Sequence, residues 1–241
     1  MQHIIVTGGI GAGKTNLISR ICRTGNWVVG SPATTMKRSL AQCIARTVNT
    51  DGSDYGWAHH FNAMMDRREK ENYRGILQGY GEHFSNLDQF FWIRRTMSEV
   101  QQDIDKARWS NDFDFVTGTV YDSIRRPQEI IGIREAFPDA VRVHLVIDPA
   151  YQMSLLTDKL GYTEEKAIAT LAHSSEHWLE ESDAALDKTI AAGIVIDAAG
   201  PAYGHWATKP EVSAQWIDFP KDYDETVWRL VSKELNLNGI D

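Results

Sequence analysis

Cysteine is scarce in this chain. Cys22 and Cys43 are the only two in 241 residues, and neither has metal-ligand spacing or a partner pattern. That excludes a disulfide framework and a thiolate metal centre, and it suits a reducing cytoplasm. Long hydrophobic runs are missing too. No window approaches the ~18 apolar residues of a membrane span, so no membrane partner is expected. The opening MQHIIVTGG has no basic segment and no extended apolar core, so a secretory signal is not expected. Positive charge is outweighed, with 25 Lys and Arg against 33 Asp and Glu and a net charge of −8. A protein that coats nucleic acid needs a basic face, so that class is disfavoured, although a local basic patch is not. His59, His60, His173 and His177 lack a carboxylate or cysteine framework, which argues against a metal centre. There is no repeat and no low-complexity tract.

What is present is alternation between apolar runs and helical periodicity. HIIVT (3–7), WVVG (27–30), the segment DFDFVTGTVYD (112–122), VRVHLVIDP (141–149) and AGIVIDAAG (192–200) read as strands. Between them, Leu17, Ile18 and Ile21 recur at helical spacing, as do Met36, Leu40, Ile44 and Val48. The stretch from about 51 to 110 has no convincing strand. The pattern predicts one α/β domain over 1–241 with a parallel sheet, a helical insertion at about 51–110 and a lid at about 150–190. A last amphipathic helix, DETVWRLVSKEL, would pack on its own sheet or on a second copy, which leaves a homodimer open.

TGGIGAGKT (7–15) carries the strongest chemical signal. Gly8, Gly13, Lys14 and Thr15 satisfy G-x-x-x-x-G-K-[ST], directly after one strand and directly before one helix. Glycines let backbone N–H groups turn toward phosphate oxygens. A lysine reaches the outer phosphates, and a hydroxyl can ligate Mg²⁺. The expected contacts to ATP are Gly8, Gly9, Gly11, Ala12, Gly13, Lys14, Thr15 and Asn16. The competing reading is a glycine-rich turn that happens to hold a lysine. The dinucleotide fingerprint G-x-G-x-x-G does not fit, and there is no guanine-reading N-K-x-D. Asp122, just beyond the strand FDFVTGT, is the carboxylate expected beside Thr15 at the metal; its plainer reading is a turn former.

Three further segments resemble the deoxynucleoside monophosphate kinases of tailed phages. SPATTMKRSLAQCIA is similar to that family's strand–turn–helix with a lysine, here Lys37. YRGILQGYGEHFSNLDQFFWIRR is similar to its R-x-x-L-Q-x-x-G…W run through Arg74, Gln78, Gly81 and Trp92. DSIRRPQEIIGIREAFPDAVRVHLVIDP is similar to its D-x-R…E segment through Asp122, Arg125 and Glu129. Asp122 and Arg125 stand three apart where the family has two. His173, Ser175 and Glu176 echo an H-x-S-E segment. DAAG replaces the usual Asn-Asp-Gly turn, and 201–222 has no counterpart.

The resemblance implies a P-loop kinase, a three-layer sandwich with a helical acceptor-binding insertion. Its cofactors would be ATP and Mg²⁺, with Lys14, Asp122 and Arg125 at the transfer. Lys37, Arg74, Gln78 and Trp92 would bind a nucleoside monophosphate, Gln78 as a reader of base edges. The phosphorylated product would feed DNA precursor pools in the cytoplasm of a phage-infected host. A second expectation is a kinase acting on a hydroxymethylated pyrimidine within DNA, which the aromatics (Trp206 and Trp216 included) would serve by stacking on a flipped base. A third, from another class, is a module that senses ATP without transferring phosphate.

Overall fold

The computed structural model describes residues 1–48, 55–66, 69–109, 116–146, 149–159, 161–172, 193–197 and 223–237. The chain runs β1 (Gln2–Gly8), α1 (Lys14–Cys22), β2 (Trp27–Gly30), α2 (Pro32–Val48), α3 (Tyr55–Met65), α4 (Lys70–Leu87) and α5 (Phe91–Trp109). It continues with β3 (Gly118–Tyr121), α6 (Pro127–Ala136), β4 (Val141–Val146), α7 (Pro149–Ser154), a π-helical stretch (Leu155–Lys159), α8 (Glu164–Leu171), β5 (Gly193–Asp197) and α9 (Tyr223–Glu234).

The strands form one sheet in the order β2-β3-β1-β4-β5. β1 pairs in parallel with β3 on one side and β4 on the other, and β2 pairs in parallel with β3. The protein is therefore α/β with a four-stranded parallel sheet. β5 departs from the expected all-parallel arrangement. It runs antiparallel to β4, with Arg142 opposite Asp197. An edge strand has only one neighbour to satisfy, so a reversed strand is tolerated there.

The chain divides into two compact units, Met1–Gly30 with Val100–Asp241, and Ser31–Glu99. The helical unit thus begins at Ser31, ahead of the segment expected from about 51, because α2 packs on α3 and α4. Of the expected lid, α7, the π-helical stretch and α8 are described, while 173–190 lies outside the described residues. So do His173, Ser175, Glu176, His177, Trp206 and Trp216.

In the first unit the strands alternate sharply. Ile4, Val6, Val120, Val143 and Leu145 join Leu17, Ile18 and Ile21 of α1 and Val231 of α9 in one apolar core. The opposite face mixes the buried Ile5 and Tyr121 with polar side chains. His3 bonds Thr119 and stacks on Phe137, the residue that ends α6. Helical elements thus meet both faces of the sheet. Burial lowers the His3 pKa and pushes the Tyr121 phenol up to about 12.

In the second unit Leu40, Ala41, Met64 and Leu77 form the centre, flanked by Met36, Phe61 and Tyr80. α4 holds three glycines with ordinary helical backbone. Gly81 is explained by its surroundings, since a Cβ there would stand 2.6 Å from Met36 Sδ. At Gly75 and Gly79 a Cβ would meet nothing within 4 Å among the described residues. Each glycine inside a helix costs about 1 kcal/mol relative to alanine. Among the described residues, no helix is long and apolar enough to cross a membrane.

Candidate active site

The loop after β1 is shaped by its backbone. Gly8, Gly11 and Gly13 have φ of 140°, 81° and 83°, values that side-chain-bearing residues rarely adopt. At Gly8 the demand is double, because a Cβ would stand 2.5 Å from the Leu145 carbonyl oxygen. Ala12 is fully buried in the first unit's core and anchors the middle of the loop. Gly13 is the N-cap of α1, so no side chain caps the helix. The first bond from the helix back to the cap is Leu17 N–H to Gly13 O, at 3.0 Å. The leading N–H groups of a helix have no carbonyl within it to bond, and its dipole makes that end positive. A loop of this form presents donors and positive potential to an anion.

Lys14 curls over the loop. Its Nζ donates to the Gly8 and Gly9 carbonyls, each at 2.7 Å. Thr15 and Asn16 follow on the exposed side of α1. A second element holds the loop: Gln152 of α7 donates its amide N–H to the Ile10 carbonyl at 2.6 Å. Sequence reasoning gave no sign of this contact, since an isolated glutamine in a polar stretch has no pattern.

Asp122 leaves the C-terminal end of β3. Ile5 pairs with Tyr121, so Asp122 lies at the same end of the sheet as the glycine loop that follows β1. From these neighbours the chain departs in opposite directions, toward β2 after β1 and toward β4 after β3. Such a switch point opens a crevice at the carboxyl ends of parallel strands, where α/β proteins bind ligands. Asp122 N–H donates to Gly30 O at 2.7 Å, and its Oδ1 accepts from Ser123 N–H at 2.6 Å. Ser123 has a φ of 59°, a left-handed turn that the Asp–Ser contact supports.

Arg125 is exposed just before α6. Its position is set by Glu129, whose Oε2 accepts from the backbone N–H groups of Arg125 and Arg126 at 2.8 and 3.0 Å. Glu129 is buried, and desolvation raises its pKa against the lowering effect of those two bonds. The same end of the sheet carries a polar cluster that sequence reasoning missed. Thr7 Oγ1 lies 2.8 Å from His144 Nδ1, and Arg142 Nε donates to Thr7 Oγ1 at 3.2 Å. The signal was the alternation in VRVHLV, which puts Arg142 and His144 on the face opposite the valines.

The remaining expected residues belong to the second unit. Arg74 and Gln78 are exposed one turn apart on α4. Lys37 Nζ lies 3.5 Å from Met65 Sδ. Trp92 is buried. Its indole N–H donates to Gly81 O at 3.0 Å, and its ring meets Tyr80, Phe84 and Phe91. These are packing contacts, and the aromatic run around Trp92 forms a small cluster within the helical unit. A groove of about 630 Å³ beside it, between α2 and α4, includes none of Lys37, Arg74, Gln78 and Trp92 in its lining. Among the described residues, no group of three or more His, Cys, Asp or Glu is placed to hold a metal. The chain matches no protein-family model and no curated protein.

Proposed function

We propose that this chain is a Mg²⁺- and ATP-dependent P-loop kinase that phosphorylates a (deoxy)nucleoside monophosphate. The observation that carries the reading is the loop itself. Three glycines at positive φ, the last of them the helix N-cap, and a lysine folded over the loop stand between a central parallel strand and a helix. The plainer reading, a flexible glycine turn, does not require Gly8 to press against the neighbouring strand or Gln152 to brace Ile10.

The residues fit the cofactors this reading implies. Loop N–H groups between Gly9 and Asn16 would suit phosphate oxygens, apart from that of Ala12, which donates to Gly9 O at 3.3 Å, and Lys14 would exchange loop carbonyls for an outer phosphate. The Thr15 hydroxyl and the Asp122 carboxylate are hard oxygen donors of the type Mg²⁺ takes. Bound there, the ion would neutralise charge on the phosphates. Arg125, held by Glu129 through its backbone, would keep its guanidinium near the transferring group. Transfer of this kind needs alignment and positive charge more than covalent help. Lys37, Arg74 and Gln78 are proposed for the acceptor, on the resemblance to phage deoxynucleoside monophosphate kinases. The three-layer kinase sandwich and the helical acceptor insertion belong to the same proposal.

The test is transfer of labelled γ-phosphate from ATP in the presence of Mg²⁺. One panel holds (d)NMPs, hydroxymethylated ones included, and the other holds DNA containing 5-hydroxymethylpyrimidines. Label on a free monophosphate is the expected result. Label retained in DNA would replace it with the base-modifying kinase, and ATP binding without transfer to any acceptor would leave an ATP sensor.

A further inference from the structure

The tip of the glycine loop is a turn whose central peptide could face either way. Ala12 N–H donates to Gly9 O at 3.3 Å, which closes a β-turn around Ile10 and Gly11. Gly11 has a φ of 81°, while Ile10 has a negative φ. Positive φ at the third position alone is the mark of a type II turn, whereas type I takes about −90° there. The two forms differ by rotation of the peptide between the central residues, and glycine at the third position fits both. A trans peptide is planar, so its C=O and N–H point in opposite directions. The turn type therefore decides on which side of the loop the Gly11 N–H emerges. Among the described residues that N–H has no acceptor. The carbonyl of the same peptide is the one that Gln152 holds, at 2.6 Å.

Gln152 itself stands on an anchored element. α7 runs straight into the π-helical stretch, where Leu156 is fully buried. Gly161, at a φ of 66°, turns the chain out of that stretch. The N–H groups of Gly161 and Tyr162 close back on the Thr157 and Leu156 carbonyls at 3.1 and 3.0 Å. We infer that Gln152 is a positioning residue for the phosphate loop. By gripping Ile10 O it holds the Ile10–Gly11 peptide in the type II orientation, and the Gly11 N–H is left facing away from α7 as a donor to a phosphate oxygen of the nucleotide. The role rests on the P-loop reading proposed above and adds a residue 142 positions beyond Ile10 to it. The glycine motif permits both turn types, and the contact from α7 selects one.

The experiment compares the full chain with Gln152→Glu, which keeps the side chain's size, but an ionised carboxylate cannot donate to a carbonyl. Ser154→Glu adds the same charge at an exposed position of α7 and serves as the control. Carbon-13 at isoleucine carbonyls with nitrogen-15 at glycine selects the two Ile–Gly pairs of the chain, Ile10–Gly11 and Ile131–Gly132. Without nucleotide, Gln152→Glu should shift the Gly11 amide resonance and leave Gly132, in α6, unmoved, while Ser154→Glu should move neither. Calorimetry with MgATP should then show affinity lower by about 10–100-fold in Gln152→Glu, the worth of one N–H donated to a charged group. Ser154→Glu should lose less than about fivefold. An unmoved Gly11 amide, parental ATP affinity in Gln152→Glu, or equal losses in the two Glu variants would each overturn the positioning role alone. A parent that binds no ATP would overturn the P-loop reading and this role with it.

Discussion

The two compact units use glycine in opposite ways. In the sheet unit Gly8, Gly11 and Gly13 adopt backbone angles closed to other residues. In the helical unit Gly75, Gly79 and Gly81 keep ordinary helical angles, and space around them is the variable. The first unit therefore makes its site from main chain, with side chains as braces: Gln152 on Ile10, Glu129 on Arg125 and Arg126. The second makes its character from side chains, Trp92, Tyr80 and Phe84 above all. A site built from backbone tolerates few sequences and so leaves a motif. A surface built from side chains can be composed in many ways.

Five substitutions would break or sharpen that contrast. Trp92→Ala should be the most damaging to the helical unit, costing about 3–5 kcal/mol of stability because it empties a packed aromatic site. Denaturant unfolding followed by circular dichroism measures it, and a loss below about 1 kcal/mol would mean that the ring is there for a ligand rather than for packing. Lys14→Ala should leave unfolding unchanged while lowering γ-phosphate transfer about 10²–10³-fold, the cost of removing one preorganised charge contact. Undiminished turnover would sink the phosphate-cradle reading.

A glycine pair makes the comparison direct. Gly8→Ala should cost about 1–3 kcal/mol, since the new methyl meets a strand carbonyl at a strained φ. Gly81→Ala, pressing only on the flexible end of Met36, should stay within about 1 kcal/mol of the parent. Equal losses in thermal melts would erase the distinction between backbone and surroundings.

The smallest effect concerns pH. Burial raises the folded pKa of Glu129, so the folded state holds its proton to higher pH than the unfolded chain does. The group's contribution to stability is therefore largest below its ordinary pKa and declines as pH rises from there through the folded value. Glu129→Gln keeps a carbonyl acceptor for the Arg125 and Arg126 N–H groups and removes the titration. Its stability relative to the parent should increase across that window in parallel urea titrations. A constant difference would show that the carboxylate is not desolvated.

Much of the sheet unit was legible in the sequence, because its signals are local. HIIV between polar neighbours, the glycine loop and the Leu17–Ile21 spacing together placed β1, the turn and α1. The antiparallel direction of β5 was not legible. GIVID reads the same either way, and only its position at the sheet edge allows reversal. The start of the helical unit at Ser31 was hidden for a similar reason, since α2 has the periodicity of any sheet-covering helix and its partners are chosen by packing. For Trp92, the resemblance pointed to the acceptor site and the aromatic run to packing; the bond to Gly81 O across α4 and α5 is a contact no spacing rule announces. The braces at Gln152 and Glu129 are single long-range choices of the kind that periodicity cannot carry.

The central place of β1 has a consequence for how the chain comes into being. Its partners stand far along the sequence: His3 bonds Thr119, 116 residues away, and Val6 pairs with Val143. Ribosomes add about 5–20 residues per second, so the strand that carries the glycine loop waits roughly 6–23 s for its first neighbour. The contacts among α2, α3 and α4 close within far shorter stretches and can mature in that interval. During synthesis the helical unit is thus the early folder, while an unpaired apolar strand waits behind it. That strand is the segment a nascent-chain chaperone would have most reason to cover.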